Sequence, residues 1–427
     1  MPEPRVVITG LGLVSPLALN AEEHFQLLLK GASALEPKTD LEYRSFHQSL
    51  QAKVPDIDRR KLITHRMLRK LLSRSAVYAV VAAGQALRDG GVQDDAECLR
   101  QCGMYIGSVL VDIDPELFLS ALKGSLDQTG NLDITQFATR GMFLIDPLFL
   151  VRALPNAGLC GIAIEHQTLG PNLNLTNGAV SGLQAVISAA NAIRRGEIQI
   201  ALAGAYDSLL RMDSFIEHFL ADRLSKNMEQ PERACRPFDI ARDGYALGEG
   251  AAFVLVESEQ HARARDAHIY GEFISSGQTT DATCFIEQTP KIGVALEHAA
   301  RQALEAAQCD VSEIDVLFGD GVATIEDDLS ESAAARRLFG ETPVLFTAAT
   351  GSTGYLGTAG GAFSLIHALM GMEQNVVPPM INCEHPDPRC ELSFAHEPQH
   401  RPYTRALVWN SDRGVKNAAL VINSYTA

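Results

Sequence analysis

The chain has 427 residues, 46% of them hydrophobic and 21% charged, with a net charge of -16. That balance excludes a disordered chain, the length predicts two halves rather than one core, and the negative charge argues against a nucleic-acid surface. The opening MPEPRVVITG has no apolar leader and no apolar run reaches the roughly 18 residues of a membrane span, so the expectation is a cytoplasmic protein without membrane contact. Cysteines at Cys98, Cys102, Cys160, Cys235, Cys284, Cys309, Cys383 and Cys390 form no CxxC pairs. They predict reduced thiols, with no metal or other cofactor.

In chain order, Arg5 to Thr9 reads as a buried strand closed by a turn at Gly10-Leu11-Gly12, and Ala21 to Leu29 as a helix. Leu35 to Asp58 is polar and irregular. Arg66 to Asp89 predicts one long helix ending at Gly90-Gly91, and Gly103 to Leu110 the next strand. Asp114-Pro115 opens a helix whose Leu117, Phe118 and Leu122 share an apolar face. The run Gly141 to Leu154 is unusually apolar, and reads as core, as a tunnel lining or as a subunit interface.

Asn172 to Asp207 organises the rest. It predicts a short strand, a tight turn at Asn177-Gly178, a helix from about Ser181 to Arg195 and a strand Gln199 to Ala203. A strand turning sharply into a helix presents the turn residue where free N–H groups favour an oxyanion, a setting that suits a nucleophile. Here the turn holds Ala179, which has neither lone pair nor acidic proton. Ser181 points elsewhere from the helix, and Cys160 and His166 lie on an upstream segment.

The second half repeats the rhythm: strands Ala251 to Glu257, Ile314 to Phe318 and Val344 to Thr347, with helices Gly293 to Ala307 and Glu331 to Phe339. A glycine-rich loop, Gly351 to Gly357, runs into another helix, and Ala406 to Trp409 with Ala418 to Asn423 form a hairpin. Alternating strands and helices indicate an α/β architecture with buried mixed sheets, its halves at residues 1–258 and 259–427. Asp239, Arg242, Asp243 and Glu249 read as an internal hydrogen-bonded network.

RVVITGLGLVSPL, RPFDIARDGYALGEG (Arg236 to Gly250), Gly204-Ala205 and Thr353-Gly354 through Gly360 together resemble the beta-ketoacyl synthases of the thiolase superfamily. The resemblance covers essentially the whole chain. It implies a five-layered αβαβα sandwich of two similar halves, dimeric across the strand before the nucleophile. Such synthases place a cysteine at the elbow and two histidines in late loops. On this chain the cysteine position is Ala179, the histidine positions are Asp320 and Tyr355, and the position of a lysine is Thr350. The phenylalanine-bearing gate is replaced by Ser411 to Lys416, where Arg413 would block or reorder the mouth used by an acyl chain.

Condensation needs a thiolate to hold the acyl group and donors to stabilise an enolate. Losing all of them resembles the chain-length factors of type II polyketide synthases, which pair with an active ketosynthase. Many of those carry glutamine at the elbow, and Ala179 departs from that. The resemblance implies a heterodimer with an active ketosynthase subunit, contact with an acyl carrier protein, and a tunnel for a growing polyketide or polyene chain. Its candidate lining is Ile113, Leu117 and Phe118 with Phe143, Leu144 and Phe149, each of which also reads as plain core. The alternatives are a divergent acyltransferase or thioester-processing enzyme with a relocated nucleophile, and a scaffold that only stabilises a partner.

Overall fold

The computed structural model describes residues 3–39, 46, 49–109, 116–283 and 292–426. Ten strands carry the fold. The first five are β1 (Val6–Val14), β2 (Gly103–Gly107), β3 (Asn172–Leu175), β4 (Ile200–Ser208) and β5 (Leu247–Ser258), in the order β3-β2-β4-β5-β1. The second five are β6 (Gly271–Thr280), β7 (Val316–Phe318), β8 (Leu345–Thr347), β9 (Arg405–Asp412) and β10 (Lys416–Asn423), in the order β8-β7-β9-β10-β6. The two patterns are the same. In each, three strands run parallel and the last two pair antiparallel. The sheets join where β1 pairs antiparallel with β6, Val6 to Ile8 against Phe273 to Gly271.

Of the long helices among the described residues, four complete the layers: α1 (Arg74–Asp89), α2 (Ser181–Arg194), α3 (Val294–Ala307) and α4 (Gly360–Gln374). α1 covers the outer face of the first sheet and α3 that of the second, while α2 and α4 pack on each other between the sheets. This is the αβαβα sandwich expected of the thiolase resemblance. Both faces of each sheet are therefore dry, and alternate residues feed different cores. On β5, Ala252, Val254 and Val256 face α2 and α4, while Ala251, Phe253 and Leu255 face α1. On β9 and β10, Val408 and Leu420 point inward, and Leu407, Trp409 and Val421 point to α3.

Several sequence expectations change. β1 runs through Gly10 and Gly12 without turning, because the bare glycines let α1 lie on the strand; a Cβ on either would overlap the carbonyl oxygen of Ala86 or Ala82. The helix expected over Arg66 to Asp89 breaks at Leu72-Ser73, where the Ser73 hydroxyl accepts from Ala76 N and starts α1 afresh. Within the stretch expected to be irregular, Leu35–Pro37 pairs with Leu50–Ala52, and Leu50 to Ala52 is buried beside β5. Of the signature residues, Asp239, Arg242 and Glu249 are buried, while Asp243 is half-buried and accepts from Ser225 Oγ and Lys226 N. Arg242 sits between Asp328 (3.3 Å) and Asp387 (2.9 Å), and Glu249 receives Arg74, Tyr78, Ser208 and the amide of Val54.

Among the described residues no helix is long and apolar enough to cross a membrane, and no cluster of His, Cys, Asp and Glu is arranged to hold a metal ion.

Candidate functional site

β3 leads through Thr176 and Asn177 into one turn of 3-10 helix, Gly178–Val180, and then into α2. Gly178 makes the turn at φ 72°, the left-handed region, and a Cβ there would overlap Asp412 Oδ2 at the end of β9. The Ser181 hydroxyl accepts from Asn177 N at 2.8 Å and donates to Gly178 O at 2.7 Å. That hydroxyl is used to hold the elbow. Ala179 follows the glycine, 4% exposed. Cys160 is exposed on the helix Ala157–His166, and His166 is turned to Val80 O at 2.9 Å.

The loops of the second half close on this elbow through the end of β9. Asn410 Nδ2 donates to Asp320 Oδ1, Ser411 N donates to Asp320 Oδ2 at 2.7 Å, and Thr350 Oγ1 donates to Asp320 O at 2.7 Å. Behind them, Glu331 takes the amides of Asp320 (2.8 Å) and Gly321 (2.9 Å) and the indole N–H of Trp409 (2.7 Å). Burial, then the neighbouring Glu331, holds the Asp320 carboxyl well above the usual carboxylate range. The two acids titrate as a pair in which the neutral form is favoured.

Tyr355 lies on the other wall. Its ring stacks tilted on Tyr245 at 4.7 Å, and Tyr245 Oη is 2.7 Å from His218 Nδ1. Burial, followed by Tyr245, Asp412 and Asp320, pushes the Tyr355 phenol far up, so it stays protonated. His218 is pushed down to about 4 by burial and then by Arg413. Arg413, with φ 53°, reaches Glu217 Oε1 at 2.7 Å. Asp320, Tyr355 and Arg413, with Arg223 and Asp327, line a cleft of about 460 Å³. A second cavity, about 400 Å³, is shared by Asp320, Thr350, Tyr355 and Asn410 and also bounded by His367. The His367 ring is buried on α4, its Nε2 2.8 Å from His24 Nε2, and burial pushes it to about 3, which keeps it neutral and engaged.

The fold thus brings Asp320, Thr350, Tyr355 and Arg413 to two adjoining cavities, and sets the turn that carries Ala179 against β9 beside them. What it offers is chemically one-sided: the cavities present neutral acids and two guanidinium groups, which can hold or polarise a carbonyl, while the elbow carries a methyl group that cannot attack one. Sequence reasoning missed Glu331, Asn410, Tyr245, His218 and His367. One signal was present, since a lone tryptophan in a buried strand needs an acceptor for its N–H and Glu331 supplies it.

The six residues expected to line a tunnel separate. Ile113 and the Leu117 side chain lie outside the described residues. Phe118 and Phe149 make an edge-to-face pair at 5.3 Å, both half-buried. Phe143 is 81% and Leu144 57% exposed, so in the single chain they stand on a surface rather than around a cavity. Met142, Leu148, Leu150 and Leu154 extend that surface.

Two like mixed sheets on a shared helix pair, with a strand-to-helix elbow facing loops of the other half, define a thiolase-like condensing-enzyme fold. The chain belongs to the beta-ketoacyl synthase family: residues 3–262 match its N-terminal domain and residues 270–384 its C-terminal domain. It is 30% identical to the 3-oxoacyl-[acyl-carrier-protein] synthase 2 of Coxiella burnetii, over 99% of both chains. The crystal structure of a beta-ketoacyl synthase from Burkholderia phymatum matches with a TM-score of 0.88 at 25% identity, covering 99% of this chain and all of that one. The ishigamide ketosynthase/chain length factor matches with a TM-score of 0.86 at 27% identity and the same coverage.

Proposed function

We propose that this chain is a catalytically inactive ketosynthase-like subunit, a chain-length factor, that pairs with an active beta-ketoacyl synthase and shapes the tunnel for a growing polyketide or polyene chain. The observation that carries this reading is the methyl group of Ala179 at an otherwise well-formed elbow. Asp320 and Tyr355 support it, because neither supplies the imidazole that would stabilise an enolate. So does the outer surface of the first half. The β3 edge is open among the described residues and Leu173 on it is exposed, while Phe143 and Leu144 add an apolar patch of the kind that marks a subunit contact. The likeness to a ketosynthase/chain length factor structure points the same way.

A second reading follows from the relatives named as synthases and from the neutral acids in the cleft. In it, Asp320 or Tyr355 serves a thioester-processing enzyme whose nucleophile lies elsewhere. The deciding experiment expresses the chain with and without a cysteine-bearing ketosynthase and incubates each preparation with malonyl carrier protein. The expected result is a one-to-one complex and, for the isolated chain, neither a covalent adduct by mass spectrometry nor released carbon dioxide. An adduct on any side chain of the isolated chain overturns the first reading in favour of the second. In the complex, Phe118→Ala or Phe149→Ala changes product length if this subunit is a ruler and leaves it unchanged if it is a scaffold.

A further inference from the structure

The cleft of about 460 Å³ is walled by both halves of the chain. Arg223 follows the helix Met212–Leu220, Ser330 lies on the helix Ile325–Phe339, Tyr355 on the glycine-rich loop and Arg413 at the tip of the β9–β10 hairpin. Its carboxyl groups are engaged. Asp327 takes Arg223 Nη2 and Thr324 Oγ1, Glu331 takes two amides and the Trp409 indole, and Asp320 takes Asn410 Nδ2 and Ser411 N. Its donors are not. Arg223, its side chain 12% exposed, is tied only through Nη2, and its enclosed Nε has no acceptor among the described residues. Arg413 uses Nη2 alone, on Glu217 at 2.7 Å. Among the described residues, the hydroxyls of Tyr355 and of the buried Ser330 have no hydrogen-bond partner.

Charge follows the same imbalance. Arg223 and Asp327 cancel, and burial holds the Asp320–Glu331 pair toward its neutral form. Arg413 is left over, because Glu217 stands outside the cleft with its side chain 60% exposed, where water screens it. Arg223 and Arg413 also stand close enough to repel one another. A structural role for Arg223 needs only the bond to Asp327, and leaves the remaining donors and the second guanidinium unexplained. Uncommitted N–H and O–H groups around a surplus positive charge are satisfied together by an oxyanion. Leu296 and Val322 add apolar wall beside them, which suits a short aliphatic tail.

We propose that this cleft binds a free short-chain carboxylic acid as its carboxylate, held by Arg223 and Arg413, with the Tyr355 and Ser330 hydroxyls donating to it and its tail against Leu296 and Val322. No covalent bond is made or broken. The site therefore needs no nucleophile, and it stands whether or not the chain pairs with a synthase. Because Arg223 belongs to the first half and Arg413 to the second, the bound anion ties the β9–β10 hairpin to the opposite half.

The test titrates sodium butanoate into the purified full-length chain by calorimetry, with sodium chloride at the same ionic strength as the blank. Saturable binding is expected, and Arg413→Gln should weaken it about tenfold. In case that variant fails to fold, Tyr355→Phe keeps the ring against Tyr245 and should weaken binding about threefold through the lost hydroxyl. Inorganic phosphate, which has no apolar part, should bind about tenfold more weakly than butanoate. Butanoate heats no different from chloride, an affinity untouched by Arg413→Gln in a folded variant or by Tyr355→Phe, or phosphate binding as tightly as butanoate overturns the proposal. A carrier protein bearing its prosthetic group is titrated separately. If the carrier binds in a manner sensitive to Arg413→Gln and butanoate does not bind, the cleft belongs to that group and the proposal falls.

Discussion

At the elbow, a strand, a left-handed glycine and a long helix converge on a methyl group; at the end of β5, Thr9, His261 and Arg265 converge on the buried carboxylate of Glu257. The first region keeps the backbone of a reactive site and lacks the reacting atom. The second gathers charge and pairs it. Shape and charge are thus held by different residues: Gly178, Ser181 and Asp412 maintain the turn whether or not a nucleophile sits in it, whereas Glu257 is held by side chains alone.

The comparison is broken most severely by filling the turn. Gly178→Leu puts a side chain into Asp412 at a left-handed φ and should cost about 3 kcal/mol in urea unfolding. A cost below about 1 kcal/mol would mean that the elbow backbone is free to relax, and that its shape is incidental. A smaller effect of opposite sign is expected from Asp320→Asn. The folded Asp320–Glu331 pair has its carboxyl titration raised by burial, so it loses stability as pH rises above the unfolded value of 3.8 toward the folded one. Removing one acid should therefore stabilise the chain by about 1 kcal/mol near about pH 8, with the gain vanishing toward about pH 4. Equal effects at both pH values would show that the pair is ionised in the fold.

The smallest effect sharpens the other side. His261, facing Cys98, Glu257 and the like charge of Arg265, has a folded value of about 9 against 6.5 for the free group. Its stabilising contribution is complete below 6.5 and lost as pH rises through about 9. The melting temperature of the native chain should fall across that window relative to His261→Gln; parallel curves would remove His261 from the cluster's electrostatics.

Much of this was readable beforehand, for a physical reason. Strands buried on both faces are apolar at nearly every position, so β1, β4, β5, β9 and β10 stand out, and Asn177-Gly178 announces a turn that only glycine makes easily. β6 escaped because it alternates buried residues with Ser276 and Gln278, a pattern that reads as polar loop. The site's partners escaped for another reason. Asp320, Glu331 and Asn410 are brought together by three separate elements, and nothing local in any one of them records the other two.

The seam between β1 and β6 reaches beyond the finished molecule. Because Val6 to Ile8 take their second partner from Gly271 to Phe273, that edge of β1 closes only after a distant stretch of chain has been made. A message truncated before β6 therefore leaves this edge of β1 unpaired, and a cut between β5 and β6 should release fragments that expose it.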